Sequence, residues 1–250
     1  MGTCSIRSPI APMSPDTDPT ALATPQSLGP DAQLRHLLVG RKLLVGNPSP
    51  AYASMLRSTL LRSDLSDPPP QLVAICSTLG ELAAALTEAD KDLLVVTTSQ
   101  LRDGCCVPLL LKLIARPQPP LLLVVLGVEE PPLRFAPLLE QPGVSLVWEG
   151  NVGQGIVLEA IGQLLSGAGF VDPDVRRLVA ADLAIAGTLT ARERQVLALL
   201  AEGLTNRQIA ERIVVADVTA RDHVQRILHK LAVPDRTAAA VLALRLGLLD

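Results

Sequence analysis

Between Thr190 and Leu246 the spacing of caps and apolar residues leaves room for little except four short helices folded against one another. Thr190 followed three residues later by Glu193 has the spacing of a capping box. Val196, Leu197, Leu199 and Leu200 then form a helical stripe that ends at Gly203. Thr205 caps a second helix, with Ile209, Ala210 and Ile213 on its inner face and Arg207, Gln208, Glu211 and Arg212 outside. Val214-Val215-Ala216-Asp217 makes a turn, and Ala216 or Asp217 precedes a third helix running to about Leu231. Val224, Ile227, Leu228 and Leu231 fall on its buried side, leaving Arg221, Asp222, Gln225, Arg226, His229 and Lys230 on or near the outward one. Pro234-Asp235 stops the chain and restarts it as an Ala- and Leu-rich fourth helix, Arg236 to Leu246.

A short helix, a tight turn and a basic second helix make the helix-turn-helix plan, whose second helix enters the major groove of duplex DNA. Arg221 can reach guanine O6/N7 or a phosphate, and Gln225 has the paired donor and acceptor that suit adenine. Asp222 can accept from cytosine N4, although near phosphates it mostly repels. Arg207, Arg226, His229 and Lys230 are cast as backbone contacts that set register. The competing reading is the solvated face of an amphipathic helix. It serves for any one of these residues alone and poorly for the set.

The block from Leu189 to Leu248 resembles the LuxR/NarL/FixJ-type helix-turn-helix. The likeness rests on Leu189, Thr190, Arg192, Glu193, Val196, Leu197, Gly203, Asn206, Ile209, Ala210, Thr219, His223, Val224, Ile227, Lys230, Leu231, Val233, Arg236, Ala238 and Gly247-Leu248-Leu249. It implies a four-helix DNA-binding domain that pairs through its last helix on a two-fold site. Arg221, Asp222 and Gln225 fall where such proteins commonly read bases. Ala238, Leu242 and Arg245 are assigned to the dimer partner, with Val241 and Leu244 turned inward. Ala216 stands where that family usually has Ser, Val218 where a basic residue is common, Ala220 for Val and Arg221 for Lys. Ala216 removes a capping hydroxyl, which Asp217 can replace, and Val218 removes a phosphate contact. These departures bear on the target sequence rather than on DNA binding.

A chain of 250 residues holds one or two domains. Its net charge of −3 excludes a general polyanion binder, but the charge is uneven. From Thr188 onward nine Arg/Lys stand against seven Asp/Glu, and the remainder carries 13 against 18. The modest positive field therefore lies where the helix-turn-helix is expected. No signal peptide is expected, since the first thirty residues lack an apolar core behind a basic start. Apolar runs such as Leu121 to Leu126 are too short to span a bilayer. The four cysteines have no metal spacing, and Cys105-Cys106 is read as apolar filler against the alternative of a redox sensor. Residues 1 to 38, with six prolines from Pro9 to Pro30 among Ser, Thr and Asp, read as a disordered leader.

From Arg41 short apolar runs alternate with helical stretches. Strands are expected at Lys42–Val45, Gln71–Cys76, Asp92–Thr97, Leu121–Leu126 and Val144–Trp148. Helices are expected near Ala51–Leu61, Leu79–Ala89, Val107–Ala115 and Gly155–Leu165. Near-continuous apolar strands between helices imply a parallel sheet covered on both faces, in the flavodoxin-like doubly wound (βα)5 order. A connector over 169–187 restarts a helix at Pro173, with Val175, Leu178, Val179 and Leu183 as its apolar side. The expected domains are thus a leader over 1–38, an α/β domain over 39–168, the linker helix, and an all-α four-helix domain over 188–250.

Five βα units ahead of this reader resemble a response regulator receiver. That resemblance implies an acidic pair after the first strand, a phosphate-accepting Asp after the third, a Thr or Ser after the fourth and a Lys after the fifth. Carboxylates there hold Mg²⁺, and Lys and the hydroxyl hold the phosphoryl group. The corresponding residues here are Gly46-Asn47, Thr97 or Thr98, Gly127, and Glu149-Gly150. The apolar core survives while the charges are gone, which defines a pseudo-receiver. Asp103, in an Asp103-Gly104 turn, is read as a loop residue rather than a phosphoacceptor, and Asp92 lies at the wrong end of the sheet.

The leading expectation is a sequence-specific transcription regulator of the bacterial cytoplasm and nucleoid. It binds double-stranded DNA as a homodimer, without a cofactor or metal and without contact with a membrane. One alternative is an adaptor whose receiver-like domain docks a protein partner, with DNA binding secondary; another is a regulator phosphorylated at Asp103. No nucleophile–base pair, phosphate loop or metal cluster points to an enzyme.

Overall fold

The computed structural model describes residues 29–60, 70–86 and 92–248. In chain order these form α1 (Pro30–Leu38), β1 (Lys42–Gly46), α2 (Pro50–Leu60), β2 (Gln71–Cys76), α3 (Leu79–Ala85) and β3 (Leu93–Thr98). A two-residue hairpin follows, β4 (Gln100–Leu101) with β5 (Gly104–Cys105), then α4 (Val107–Ile114), β6 (Leu121–Leu126), β7 (Val144–Trp148), α5 (Ile156–Leu165) and α6 (Pro173–Gly187). The last four helices are α7 (Ala191–Ala201), α8 (Asn206–Ile213), α9 (Asp217–Lys230) and α10 (Arg236–Arg245).

The five long strands form one parallel sheet in the order β2-β1-β3-β6-β7. Leu44, Leu94, Val95, Leu122, Leu123 and Val124 have no exposed surface, so both faces of the central strands are covered, as parallel sheets require. α3 and α4 pack over one face with Phe135 and Leu138, and α1, α2 and α5 cover the other. Between β6 and β7 the chain forms a 3-10 turn over Pro132–Leu138 instead of an α-helix. Pro137, inside this segment, lacks the amide donor that an α-helix would need there, whereas Pro132 stands at the first position, where no donor is needed.

Part of the stretch expected as a disordered leader is helical. Residues 1–28 lie outside the described part, but Pro30–Leu38 is a helix with Arg35 and Leu38 buried. Pro30 sits at its first position, where a missing N–H costs nothing, so that proline is compatible with a helix start.

At the other edge of the sheet, residues 170–172 run beside β7. Leu146 N–H donates to Phe170 O at 2.8 Å, and Asp172 N–H donates to Leu146 O at 2.9 Å. The buried Asp172 carboxylate then accepts from Asp174 N–H at 2.9 Å, from Trp148 N–H at 3.1 Å and from the Asn151 side chain. One side chain therefore caps α6 and clamps its start to the end of β7. From there Val175 and Val179 enter the sheet core, while Ile185, ten residues beyond Val175, packs on the core of the last four helices. Leu183, expected on the apolar side, is instead 48% exposed.

Candidate nucleic-acid interface

α7, α8, α9 and α10 enclose a core that includes Val196, Leu197, Leu200, Ile209, Ile213, Val224, Ile227 and Ala243. Both expected N-caps are present. Thr190 and Thr205 each accept from the backbone three residues on, and Glu193 and Gln208 return the bond in capping boxes. α8 ends at Val214 in the left-handed region, with φ of 57° and 88% of the residue exposed. This turn carries the chain into α9, whose N-cap is Ala216, with no side chain closing the first turn.

Four cations of the helical domain are committed to holding that geometry. Arg192 donates to Ile213 O at the end of α8 (2.5 Å), Arg236 to Leu204 O (2.6 Å) and Arg194 to Leu189 O (2.9 Å). Lys230 lies 2.6 Å from the carboxylate of Glu193, which is 4% exposed. Burial by itself would raise the Glu193 pKa, but the Lys230 ammonium with the Thr190 N–H and hydroxyl outweighs it and holds the group at about 2. Lys230, expected as a DNA-backbone contact, is an exposed residue whose ammonium pairs with this buried carboxylate. The roles of Arg192, Arg194 and Arg236 in holding the helices together are not displayed by helical periodicity. Their partners are carbonyls at helix ends, which no residue pattern displays.

Arg221, Asp222, Gln225, Arg226 and His229 of α9 are all exposed, as is Arg207 of α8. Arg207 is paired with Glu211 at 3.2 Å, and Arg221 lies 3.9 Å from Asp217 in a loose surface pair. Ala220, Val224 and Ile227 are buried beneath, so the outward residues occupy the face opposite the core.

α10 corrects another expectation. Ala239, Ala243 and Leu246 form its inward line, so Val241 and Leu244 stand outward at 50% and 60% exposure. Leu242 and Arg245 instead line a cleft of about 580 Å³ against Trp148 and the segment after β6, with Asp182 of α6 on its wall. Burial raises the Asp182 pKa there, against the Leu133 N–H and Arg245, which lower it. Ala238 is half-buried, and its N–H caps onto Asp235.

At the strand ends of the sheet domain, Gly46 pairs in register with Thr97. A side chain added to Gly46 would run into the Thr97 side chain. Thr97 is buried, donates to Thr98 O at 3.0 Å and touches Cys106; Thr98 donates to Gln100 O at 2.8 Å. The Gly127 N–H donates to the buried Ser99 hydroxyl at 3.1 Å, and Glu149 and Gly150 open a 3-10 turn after β7. Asn47 turns back on its own loop, accepting from Ser49 N–H at 2.8 Å. Asp103 accepts from Leu79 N–H at 2.5 Å and from Gly80 N–H at 3.3 Å, bonds that hold its carboxyl below the usual range. That carboxylate serves the start of α3. Cys106 is buried, and burial pushes its thiol up to about 11, which opposes thiolate chemistry. Among the described residues, no group of three His, Cys, Asp or Glu side chains could hold a metal ion, and no helix is long and apolar enough to cross a membrane.

Residues 187–243 match the luxR family of bacterial regulatory proteins. Over 58 residues the chain is 52% identical to the DNA-binding transcriptional activator DevR/DosR of Mycobacterium tuberculosis (strain ATCC 25618 / H37Rv), covering 23% of this chain and 27% of that protein. It is 49% identical over 59 residues to the transcriptional regulatory protein LnrK of Bacillus subtilis (strain 168), covering 24% and 27%. The match thus spans about a quarter of these relatives' length. In fold the chain is similar to the RcsB response regulator of Salmonella typhimurium, with a TM-score of 0.60 at 17% identity, over 81% of this chain and 98% of that one. A structure of two RcsB dimers bound to two parallel DNAs gives 0.57 at 17%, covering 82% and 98%. A receiver-like parallel sheet followed by a LuxR-type helix-turn-helix domain is the architecture of this molecule.

Proposed function

We propose that the protein is a sequence-specific DNA-binding transcription regulator of the response-regulator type, acting as a dimer in the cytoplasm with a sheet domain that takes no phosphate. The observation that carries this reading is the outward face of α9. Arg221, Asp222 and Gln225 are exposed on a helix whose far side is locked into a core and whose approach is set by the α8 turn. Such a helix meets base edges with its first turns while flanking side chains meet phosphates. DevR/DosR, one of the relatives matched over this segment, is a DNA-binding transcriptional activator, which supports the same use here.

Dimerisation would use the exposed apolar pair Val241 and Leu244 on α10 rather than Leu242 and Arg245, which already face the protein's own sheet domain. Two contacts support a loss of phosphate chemistry: Thr97 occupies the room that a side chain at Gly46 would need, and Asp103 is bound to a helix start. The test is to incubate the purified full chain with random genomic fragments and sequence what it retains. Enrichment of one motif repeated about a two-fold axis is expected. Uniform retention, or none, contradicts the proposal.

A further inference from the structure

Val218 is 61% exposed in the first turn of α9. At 3.6 residues per turn, Val218, Asp222, Gln225 and His229 lie within roughly 60° of one another, whereas Ile227 points about 180° away. Ile227 has no exposed surface. Val218 therefore sits on the midline of the outward face, with Arg221 and Arg226 flanking it. A side chain there is turned to the floor of a groove, while flanking positions reach its phosphate walls.

We infer that Val218 is a specificity-determining residue that reads the C5-methyl group of a thymine, an inference that rests on the DNA-binding reading above. An isopropyl group neither donates nor accepts a hydrogen bond, and the thymine methyl is the apolar group that the major groove offers. Its neighbour points the same way. Asp222, one turn on, is repelled by phosphate and satisfied by an exocyclic amine such as cytosine N4. Four residues of helix advance about 6 Å, and base pairs stack about 3.4 Å apart, so the methyl and the amine lie one or two base pairs from each other. A midline of Val218, Asp222 and Gln225 without a cation asks for methyl and amino groups; charge attraction is left to the flanks. The absence of a basic side chain at Val218 is then a change of base preference, not only a lost phosphate contact.

The experiment uses the full chain and a duplex selected by it from a random library. Each thymine is replaced singly by deoxyuridine, which pairs identically and lacks only the methyl group. One thymine in each half-site should weaken binding about fourfold on replacement, the worth of one buried methyl. Val218→Ala should bind the thymine site about as weakly and be indifferent to that replacement. Val218→Thr, which keeps the branched shape, controls for shape, and melting curves of both variants should match the parent because the side chain is exposed. Equal sensitivity of Val218→Ala and the parent to deoxyuridine, or no sensitive thymine at all, overturns the inference while leaving DNA binding intact. Failure to select any duplex overturns both.

Discussion

Glu193 serves two ends of the helical domain at once. Its carboxylate closes the capping box of α7 with Thr190 and pairs with Lys230 at the end of α9. With a folded pKa near 2 against an ordinary 4.5, the ionised form is favoured by the fold. The stability it contributes is complete above about pH 4.5 and is lost as pH falls toward 2. The melting temperature should therefore drop across that window, and Glu193→Gln should flatten that part of the profile; an unchanged profile would refute the assignment. Lys230→Met leaves the carboxylate buried without its cation and should cost about 3 kcal/mol in chemical denaturation. If the pair were worth no more than a solvent-screened surface ion pair, the loss would stay within about 1 kcal/mol. Arg221→Ala, by contrast, should leave stability unchanged and cost roughly 1–3 kcal/mol of binding to the selected duplex by gel shift.

At the level of elements, the turn from α8 to α9 is the least comfortable part of the reader. A branched Val214 holds a positive φ, and Ala216 offers no cap to the helix that follows. Val214→Asn should stabilise the chain by about 1 kcal/mol, since the left-handed conformation suits Asn and the exposed side chain gives up no packing. Ala216→Ser should add about 1 kcal/mol by closing the first turn of α9. A thermal melt checks both, and a fall in stability for either would contradict the backbone description. β6 and β7 follow the apolar runs residue for residue because most of their positions are buried, and β2 follows its run although Gln71 and Val73 at the sheet edge are exposed. α10 was misread for the opposite reason. Ala and Leu occupy nearly every position from Ala238 to Leu246, so periodicity could not tell the inward line of Ala239, Ala243 and Leu246 from the outward Val241 and Leu244. The 3-10 turn after β6 and the Asp172 clamp were equally hidden. One turns on a proline inside the segment, Pro137, and the other on contacts of Asp172 with Trp148 and Asn151, 24 and 21 residues away in sequence.

Across the whole molecule, α6 joins two cores by one rigid element, fixed at its start by Asp172 and merged with the helical domain through Ile185. The sheet domain keeps the layered packing of a receiver while threonines, glycines and a serine occupy its strand ends. A phosphodonor should therefore leave the chain untouched. After incubation with acetyl phosphate and Mg²⁺ the mass of the full chain should be unchanged, and a gain of about 80 Da on Asp103 would refute the pseudo-receiver reading. The exposed pair on α10 predicts that Val241→Asp with Leu244→Asp abolishes two-to-one binding on the selected duplex while the monomer stays folded. Retained stoichiometry would place the dimer contact elsewhere. The central claim, that α9 attaches this protein to duplex DNA at chosen sequences, is tested most directly by the salt dependence of binding. Fluorescence anisotropy of the selected duplex with the full chain should give log affinity falling linearly with log salt, with a steeper slope for the parent than for Arg226→Ala, which removes a proposed phosphate contact. An affinity that ignores salt, or one equal for the selected and a scrambled duplex, would contradict the account.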